Sequence, residues 1–297
     1  MLQAAAEAAG DQHYPTGALY VVATPIGNLA DISLRAIHVL ALVDAIACED
    51  TRHSAPLLRR LGIDKPLLAL HQHNERAASA AVLERLARSE RVACISDAGT
   101  PAISDPGAEL VAAARAAGYR TVPIPGPSSL IAALCVSGDA RGSDFSFIGF
   151  LPARGKERAS AIERMAAQPA RAVVLEAPHR IGDLADGLAR CAPSRTVTVC
   201  RELTKQFESV DSLPAADLPA WLAADPHRQR GEFVIVLHAR AERADADAAE
   251  EAAGIHDKTL RVLLTALPLK QAVAVAAELT GAARNALYAR ALELKER

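Results

Sequence analysis

The sequence has little of what marks membrane proteins, secreted proteins and strongly basic nucleic-acid-binding proteins. No run of about 18 uninterrupted apolar residues occurs, so no transmembrane helix is expected. Residues 1–16 lack the basic segment and apolar stretch of a signal peptide, which predicts a disordered extension on a cytoplasmic protein. The net charge is only -2, so binding to RNA would require a local basic patch.

Aromatic residues and cysteines are also few. Aromatics are 3% of the chain, so stacking platforms for bases are scarce, and recognition of a nucleic acid by its shape and backbone is favoured over recognition by stacking on single strands. The odd number of scattered cysteines predicts reduced core residues instead of disulfides or a metal cage. By contrast, 51% of the 297 residues are hydrophobic, enough for substantial cores in about two domains. The five cysteines are Cys48, Cys94, Cys135, Cys191 and Cys200.

Short apolar runs alternate with helical stretches along most of the chain, which predicts an α/β fold. In residues 17–138 the alternation is typical of βα units around a mostly parallel sheet, and residues 139–240 predict a second α/β domain. A linker at 241–257 and a small C-terminal helical module at 258–297, with three helices resembling a helix-turn-helix, complete the expected organisation. The predicted strands are Ala18–Ala23, Ala45–Cys48, Leu67–Leu70, Arg91–Ser96, Arg120–Ile124, Phe145–Phe150, Ala172–Leu175, Thr196–Cys200 and Glu232–His238.

Three loops follow predicted strands of the first domain and carry turn-forming residues. In the segment 95–107 the pattern Ile-Ser-Asp-X-Gly occurs twice, and Asp and Gly favour tight turns that present backbone groups. Ligands bind at the carboxyl ends of strands in open α/β sheets, so this segment predicts a ligand loop, with a purely structural double turn as the alternative. The sequence has neither a three-glycine dinucleotide fingerprint nor a phosphate-binding P-loop.

The ends of the helices next to these loops are also predicted from capping residues. Asp31 is the expected cap after the loop 23–29, and Ser128 or Ser129 after the loop 123–130. Asp105, with Pro106 at the first helical position, is expected to begin a helix that Gly118 closes.

Charged residues cluster at other predicted strand ends. Glu49, Asp50 and Arg52 follow the second strand, where they serve either catalysis or a structural ion pair. The histidines of the segment 71–75 have no second cluster to complete a metal site, so no metal is expected. Basic loops of the second half predict an RNA-binding patch, with ordinary solvated loops as the alternative. These basic residues are Arg154, Lys156, Arg158, Arg180, Arg201 and Lys205.

The run Ser96-Asp-Ala-Gly-Thr-Pro-Ala-Ile-Ser-Asp-Pro-Gly107 closely resembles the signature of the ribosomal RNA small subunit methyltransferase I family, a branch of the tetrapyrrole methylase superfamily. The resemblance extends from about residue 17 to the C-terminus, and only the N-terminal extension is outside it. Further matching motifs are Thr24–Leu29, Glu49–Arg52, His73–Glu75, Pro125–Ser129, Glu176–Arg180, Arg201–Lys205 and Leu267–Ala272.

The resemblance implies two α/β domains with S-adenosylmethionine in the cleft between them, and a homodimer that methylates a cytidine 2′-hydroxyl in the decoding region of small-subunit ribosomal RNA. The small ribosomal subunit or its RNA is the implied partner. The family's cofactor positions correspond here to Pro25, Asp97, Gly99, Thr100, Ile103, Ser128, Ser129, Leu175 and Glu232.

Removal of the hydroxyl proton requires a base, and the sequence offers Glu49, Asp50 and Asp105, of which Asp50 is favoured. Arg52 is expected to position that carboxylate or a phosphate. Two other functions stay open at this point. One is methylation of a corrin-type tetrapyrrole, and the other is a non-catalytic RNA-binding role in ribosome assembly.

Overall fold

The computed structural model describes residues 1–71, 74–141, 144–240, 257, 259–282 and 284–296. These residues divide into two compact units, Met1–His238 and Ala239–Arg297. Both expected α/β domains fall within the first unit except for residues 239–240, and their boundaries stay a prediction. The expected linker lies outside the described residues, apart from Asp257.

The first half of the larger unit contains a parallel sheet of five strands. Its strands are β1 (Ala18–Val22), β2 (Ala45–Cys48), β3 (Leu67–Ala69), β4 (Val92–Ile95) and β5 (Arg120–Ile124). Its helices are α1 (Leu2–Ala9), α2 (Leu34–Leu42), α3 (Thr51–Leu61), α4 (Glu75–Ala87), α5 (Ala108–Ala116) and α6 (Ser129–Val136). The strand order is β3-β2-β4-β1-β5, so every loop that follows a strand emerges at one edge of the sheet.

Alternate residues of these strands contribute to two separate cores. Tyr20 of β1 points into the core formed with α1, α2 and α3, whereas the neighbouring Leu19 packs against α4 and α5. Successive side chains of a strand point to opposite faces, so both faces of the central strands are buried, and β2 and β4 are apolar throughout.

The second half contains a mixed sheet of five strands with the order β6-β7-β10-β8-β9. Here β10 runs antiparallel to both of its neighbours. One face is covered by α7, α8 and α9, and the other by α6 and Ile26 from the first half. The strands are β6 (Phe145–Phe150), β7 (Arg171–Glu176), β8 (Thr196–Arg201), β9 (Ser209–Pro214) and β10 (Phe233–Leu237), and the helices are α7 (Gly155–Ala167), α8 (Ile181–Cys191) and α9 (Leu218–Ala223).

The smaller unit is helical. Residues 259–266 (α10), α11 (Leu269–Thr280) and α12 (Arg284–Glu296) enclose a small core that includes Leu260, Val273 and Leu287. Arg290 of α12 pairs with Asp257 at 2.9 Å. The expected fold class, with two α/β sheets and a C-terminal helical module, is confirmed. No helix among the described residues has the length and apolar character to cross a membrane.

The prediction of a disordered N-terminal extension is wrong. Leu2–Ala9 is a helix whose Ala5 and Ala9 are buried, and it packs on α2. Alanine has the highest intrinsic helix propensity, and its small side chain allows two helices to approach closely. The hydroxyl of Tyr14 donates to the carbonyl of Ala9 at 2.9 Å, which fixes the end of the helix.

Two predicted helix caps are also wrong. Ser33, not Asp31, caps α2 by accepting from the amide of Ala36. The helix α5 begins at Ala108, and Oε1 of Glu75 accepts from the amides of Gly107 and Glu109. The cap of α5 therefore comes from α4, a contact between elements that local sequence does not reveal.

Two other local expectations can be compared directly. Ser128 caps α6, as predicted. The strand β9 was not predicted, because its half-exposed residues at the sheet edge carry no apolar run.

Packing of α1 on α2 predicts that Ala5→Asp destabilises the protein by about 1–3 kcal/mol, because an unpaired carboxylate would have to be buried or the helix detached. Urea unfolding measures the free energy. Ala4→Asp is the matched control, because Ala4 is exposed in the same helical turn. Equal stability of the two variants would show that α1 does not pack there in solution.

Candidate active site

A cleft of about 500 Å³ lies where the loops that follow β1, β2 and β4 meet the loops at one edge of the second sheet. The first sheet contributes its carboxyl edge, the location expected for a ligand in an open α/β sheet. The lining residues are Pro25, Ile26, Gly27, Leu29, Arg52, His53, Pro56, Leu57, Arg60, Asp97, Ala98, Lys205 and Glu232.

The loops that follow β1, β4 and β5 are bonded to one another. Thr24 and Gly99 exchange two backbone hydrogen bonds of 2.9 and 3.1 Å. The hydroxyl of Thr100 donates to the carbonyl of Pro127 at 3.0 Å. Ala102, in the loop that follows β4, has a φ of 65°, a left-handed conformation that alanine rarely adopts. Such strain persists only where surrounding contacts fix the backbone, and it is common at binding loops.

The wall from the second sheet is formed around Lys205. Its ammonium lies 2.9 Å from carboxylate oxygens of both Glu202 and Glu232. Oε1 of Glu202 also accepts from the amide of Glu232 at 2.8 Å. A Cβ on Gly27 would lie 2.5 Å from Cγ of Lys205, so only glycine allows the loop after β1 to approach this closely. The pairing with two carboxylates neutralises the lysine.

An acidic group lies at the β2 end of the cleft. It consists of Glu49, Asp97 and Asp105. Glu49 and Asp97 also line a side pocket of about 370 Å³, together with residues that include Asp50 and His71. Burial and then the charges of Asp97, Asp105 and Asp50 raise the pKa of Glu49. Burial, with a smaller contribution from Asp97, likewise raises the pKa of Asp105. Both carboxyls therefore hold a proton more readily than an exposed acid does.

Asp50 differs from its acidic neighbours because it is paired. It caps α3 by accepting from the amide of Arg52 at 2.8 Å, and the guanidinium of Arg52 contacts both of its oxygens at 3.0 and 2.7 Å. These hydrogen bonds lower the pKa of Asp50 to about 2. The Arg52 side chain is 90% exposed, so the pair lies at the mouth of the pocket.

A buried ion group supports the edge of the second sheet. The carboxylate of Glu176 is fully buried and lies 2.6 Å from the guanidinium of Arg158. The Nε of Arg180 lies 2.8 Å from the other oxygen as an ion pair, without the N–H direction of a hydrogen bond. Arg158 also donates to the carbonyls of Pro152 and Arg180. The group joins β7 to α7 and to the loop before α8.

The structure brings only some of the predicted cofactor residues to the cleft. Pro25, Asp97 and Glu232 line it, and Ser129 lines a smaller extension beside Ile26 and Ala98. Three others have structural contacts. Gly99 and Thr100 form hydrogen bonds between the loops, and Leu175 packs in the apolar cluster beneath α6. Ser128 caps α6, and Ile103 is 56% exposed in the loop after β4.

Four of the six basic residues predicted to bind RNA are engaged within the protein. Arg158 and Arg180 pair with Glu176, and Lys205 pairs with two carboxylates. Arg201 donates to the carbonyl of Phe207 at 2.9 Å and so holds the turn between β8 and β9. Assigning Arg158 to RNA was wrong, because its side chain is 5% exposed. Arg154 and Lys156 are exposed at the start of α7, where a phosphate can reach them.

One wall of the cleft was missed by sequence reasoning. His53, Pro56, Leu57 and Arg60 of α3 all line it. Their positions, i, i+3, i+4 and i+7, define one face of a helix. That spacing is visible in the sequence directly after the Glu49–Arg52 motif, and it could have indicated that one face of this helix lines the site.

The family to which the chain belongs follows from comparison with known proteins. The family model described as Tetrapyrrole (Corrin/Porphyrin) Methylases matches residues 18–219, and that of the RsmI C-terminal HTH domain matches residues 247–295. The chain therefore belongs to the tetrapyrrole methylase family and is a methyltransferase. This membership implies a methyl donor.

Relatives that share a single, more specific name match nearly the whole chain. These matches confirm the resemblance found in the sequence. A Ribosomal RNA small subunit methyltransferase I from Pseudomonas aeruginosa is 47% identical over 93% of this chain and 97% of the relative. The protein of that name from Xylella fastidiosa is 48% identical over 92% of this chain and 98% of the relative. That of Escherichia coli O157:H7 is 45% identical over 93% and 95%.

Solved structures with the same fold are more distant in sequence. The methyltransferase CobJ superposes with a TM-score of 0.57 at 20% identity, over 76% of this chain and 95% of that chain. Uroporphyrin-III-C-methyltransferase from Thermus thermophilus superposes with a TM-score of 0.52 at 20% identity, over 74% and 94%. At this identity the likeness establishes the fold alone.

The buried ion group predicts that Glu176→Gln costs about 3–5 kcal/mol of stability, because Arg158 and Arg180 would keep buried charges without a counter-charge. The free energy of unfolding in urea measures the loss. Glu157→Gln on α7 removes the same charge from an exposed position and is expected to change stability little. A loss in Glu176→Gln no larger than in this control would contradict the assigned pairing.

Proposed function

We propose that this chain transfers a methyl group from S-adenosylmethionine to the 2′-hydroxyl of a cytidine in the decoding region of small-subunit ribosomal RNA, acting in the cytoplasm as a homodimer. The observation that carries the proposal is a cleft with an acidic side pocket at the carboxyl edge of the first sheet, in a chain 45–48% identical to proteins named ribosomal RNA small subunit methyltransferase I.

The residues of the cleft fit this methyl donor. Its volume of about 500 Å³ lies in the range of pockets for compact ligands. Ile26, Leu29 and Ala98 supply apolar contacts, and Asp97 and Ala98 come from the loop after β4. Asp97 and Glu49 give the site negative charge, which favours a ligand with a positive sulfonium. When bound, S-adenosylmethionine supplies an electrophilic methyl group.

Glu49 is the proposed general base. A base works best when its pKa is close to the working pH, and burial with neighbouring acids raises the pKa of Glu49. Asp50, which the sequence favoured, is a weaker candidate because Arg52 occupies both of its oxygens and its pKa falls to about 2. Its proposed role is to hold Arg52 at the mouth of the pocket.

The remaining contribution of the protein is orientation and proton removal. With the methyl donor bound, the carboxylate of Glu49 would accept the proton of the ribose hydroxyl as that hydroxyl becomes methylated. A fixed in-line approach supplies much of the rate, because reactants held in position avoid the entropy of encounter. The bonded loops after β1, β4 and β5 provide such a rigid site.

The direct test is methyl transfer from labelled S-adenosylmethionine to purified small ribosomal subunits, to naked ribosomal RNA and to a tetrapyrrole precursor, followed by nucleoside analysis. A 2′-O-methylated cytidine is the expected product. Label only in the tetrapyrrole, or binding of the cofactor without transfer, would overturn the proposed substrate.

Assignment of Glu49 as the base predicts a loss of at least about 100-fold in single-turnover rate for Glu49→Gln, the usual contribution of a general base. Asp50→Asn is expected to keep most of the activity, because asparagine is an equally good helix cap. Both variants lose one negative charge, so each serves as the control for the other. The opposite order of effects would return the role of base to Asp50.

The pH dependence provides a separate prediction. Only the ionised carboxylate of Glu49 can accept the proton, so transfer falls as the pH drops through its raised pKa. The Asp50 charge contributes to that rise, so Asp50→Asn is expected to lower the pKa and move the acid limb of the single-turnover profile to lower pH. An unmoved or oppositely moved limb would exclude Glu49 as the titrating group.

A further inference from the structure

One face of α3 forms a continuous wall of the cleft. His53, Pro56, Leu57 and Arg60 occupy this face, and Arg52 lies at its N-terminal end. At 1.5 Å per residue, His53 and Arg60 lie about 10 Å apart along the helix axis. The face is therefore long enough to follow an extended ligand that continues out of the cleft.

The cation at the far end of this face is available for a ligand. Arg60 is exposed, and it makes no ion pair with any carboxylate in the described part of the chain. The lysine on the opposite wall, Lys205, is neutralised by Glu202 and Glu232. Among the cations that line the cleft, Arg52 is paired with Asp50, which leaves Arg60 to attract an anion.

The cleft also has distinguishable ends. Its extension towards α6 shares Ile26, Ala98 and Glu232 with the main volume, and the proposed cofactor residue Ser129 lies there. The side pocket with Glu49 shares Arg52 and Asp97 with the main volume at the other end. Arg52, at the N-terminal end of the α3 face, therefore borders both the main volume and the side pocket that contains Glu49.

An anionic chain beside these acids requires compensation. Glu49, Asp97 and Asp105 repel phosphate, so a nucleic acid can place a ribose near Glu49 only if cations hold the adjoining backbone. The α3 face supplies that charge next to the acids.

A structural explanation for Arg60 also exists. Arg59 and Arg60 both lie in the last turn of α3, where a positive charge stabilises the helix dipole. That effect is common to both residues, whereas only Arg60 lines the cleft. The pair therefore offers a matched comparison on one helix.

We propose that the α3 face, with Arg60 as its anchoring cation, binds the phosphate backbone of the RNA substrate beside the nucleotide that is methylated. The proposal rests on the RNA substrate proposed above. It moves the principal phosphate contact from the basic loops of the second sheet to a helix of the first, and makes Arg60 a positioning residue.

The test compares the full-length wild type with Arg60→Ala, Arg59→Ala and Arg60→Lys. Affinity for purified small ribosomal subunits is measured from low to moderate salt, and affinity for S-adenosylmethionine and methyl transfer are measured in parallel. Loss of one phosphate contact is expected to reduce the slope of log affinity against log salt by about 0.7–0.9 and to weaken binding at low salt about tenfold. Arg60→Ala should show both effects, whereas Arg59→Ala should behave as wild type and Arg60→Lys should recover the slope.

Several results would overturn the proposal. Equal effects of Arg59→Ala and Arg60→Ala would assign both to helix stability or general charge, and an unchanged slope in Arg60→Ala would remove the contact. A loss of S-adenosylmethionine affinity in Arg60→Ala equal to its loss of subunit affinity would place Arg60 at the cofactor. Wild-type binding to subunits without methyl transfer would refute the proposed function alone, since the slopes would still report on Arg60.

Discussion

The packing of α6 and Ile26 onto the second sheet determines how the two sheets face each other. Ala133 of α6 is fully buried there, packed with Val234 and Val236 of β10. Apolar burial has no preferred direction, so it does not by itself fix the relative position of the two sheets. That position also depends on close contacts at the edge of the apolar cluster. Gly27 against Lys205 supplies one such contact. The cleft is thus a consequence of this interface, with walls that neither sheet could supply alone.

The carboxylates of the cleft are of two kinds, those paired with a cation and those without such a partner among their described contacts. Glu202, Glu232 and Asp50 each have a cation within 3 Å, and these ion pairs fix the loops that carry them. Glu49 and Asp105 lack such a cation among their described contacts, and burial raises the pKa of each. Carboxylates therefore have two roles in the cleft. The paired ones fix the backbone of the loops, whereas Glu49 and Asp105 are available to exchange a proton. Buried Glu176 belongs to the first kind, since its two arginines are structural.

The sequence was sufficient for the architecture but not for the assignment of individual charges. Strands such as Ala45–Cys48 and Phe145–Phe150 were predicted with the bounds that the structure has, because apolar runs between turn residues are a local signal. The cap of α5 by Glu75 and the pairing of Arg158 with Glu176 join residues 32 and 18 positions apart. Local patterns cannot report such partners, which is why the predictions of Asp105 as a cap and of Arg158 as an RNA contact are wrong. The helix of Leu2–Ala9 was missed because disorder was inferred from the absence of targeting features, although alanine-rich segments favour helix.

The wrong assignments of charged residues share one physical cause. The function of a charged side chain depends on whether another charge has already neutralised it, and that is a property of the folded protein. Conspicuous cations within motifs, such as Lys205 and Arg180, have partners because motif loops must themselves be held in place. Arg60 lies at the end of a helix, outside any motif, and has no described carboxylate partner. A cation that supports no loop is free to bind a ligand, so the residues least conspicuous in the sequence can dominate the electrostatics of the site.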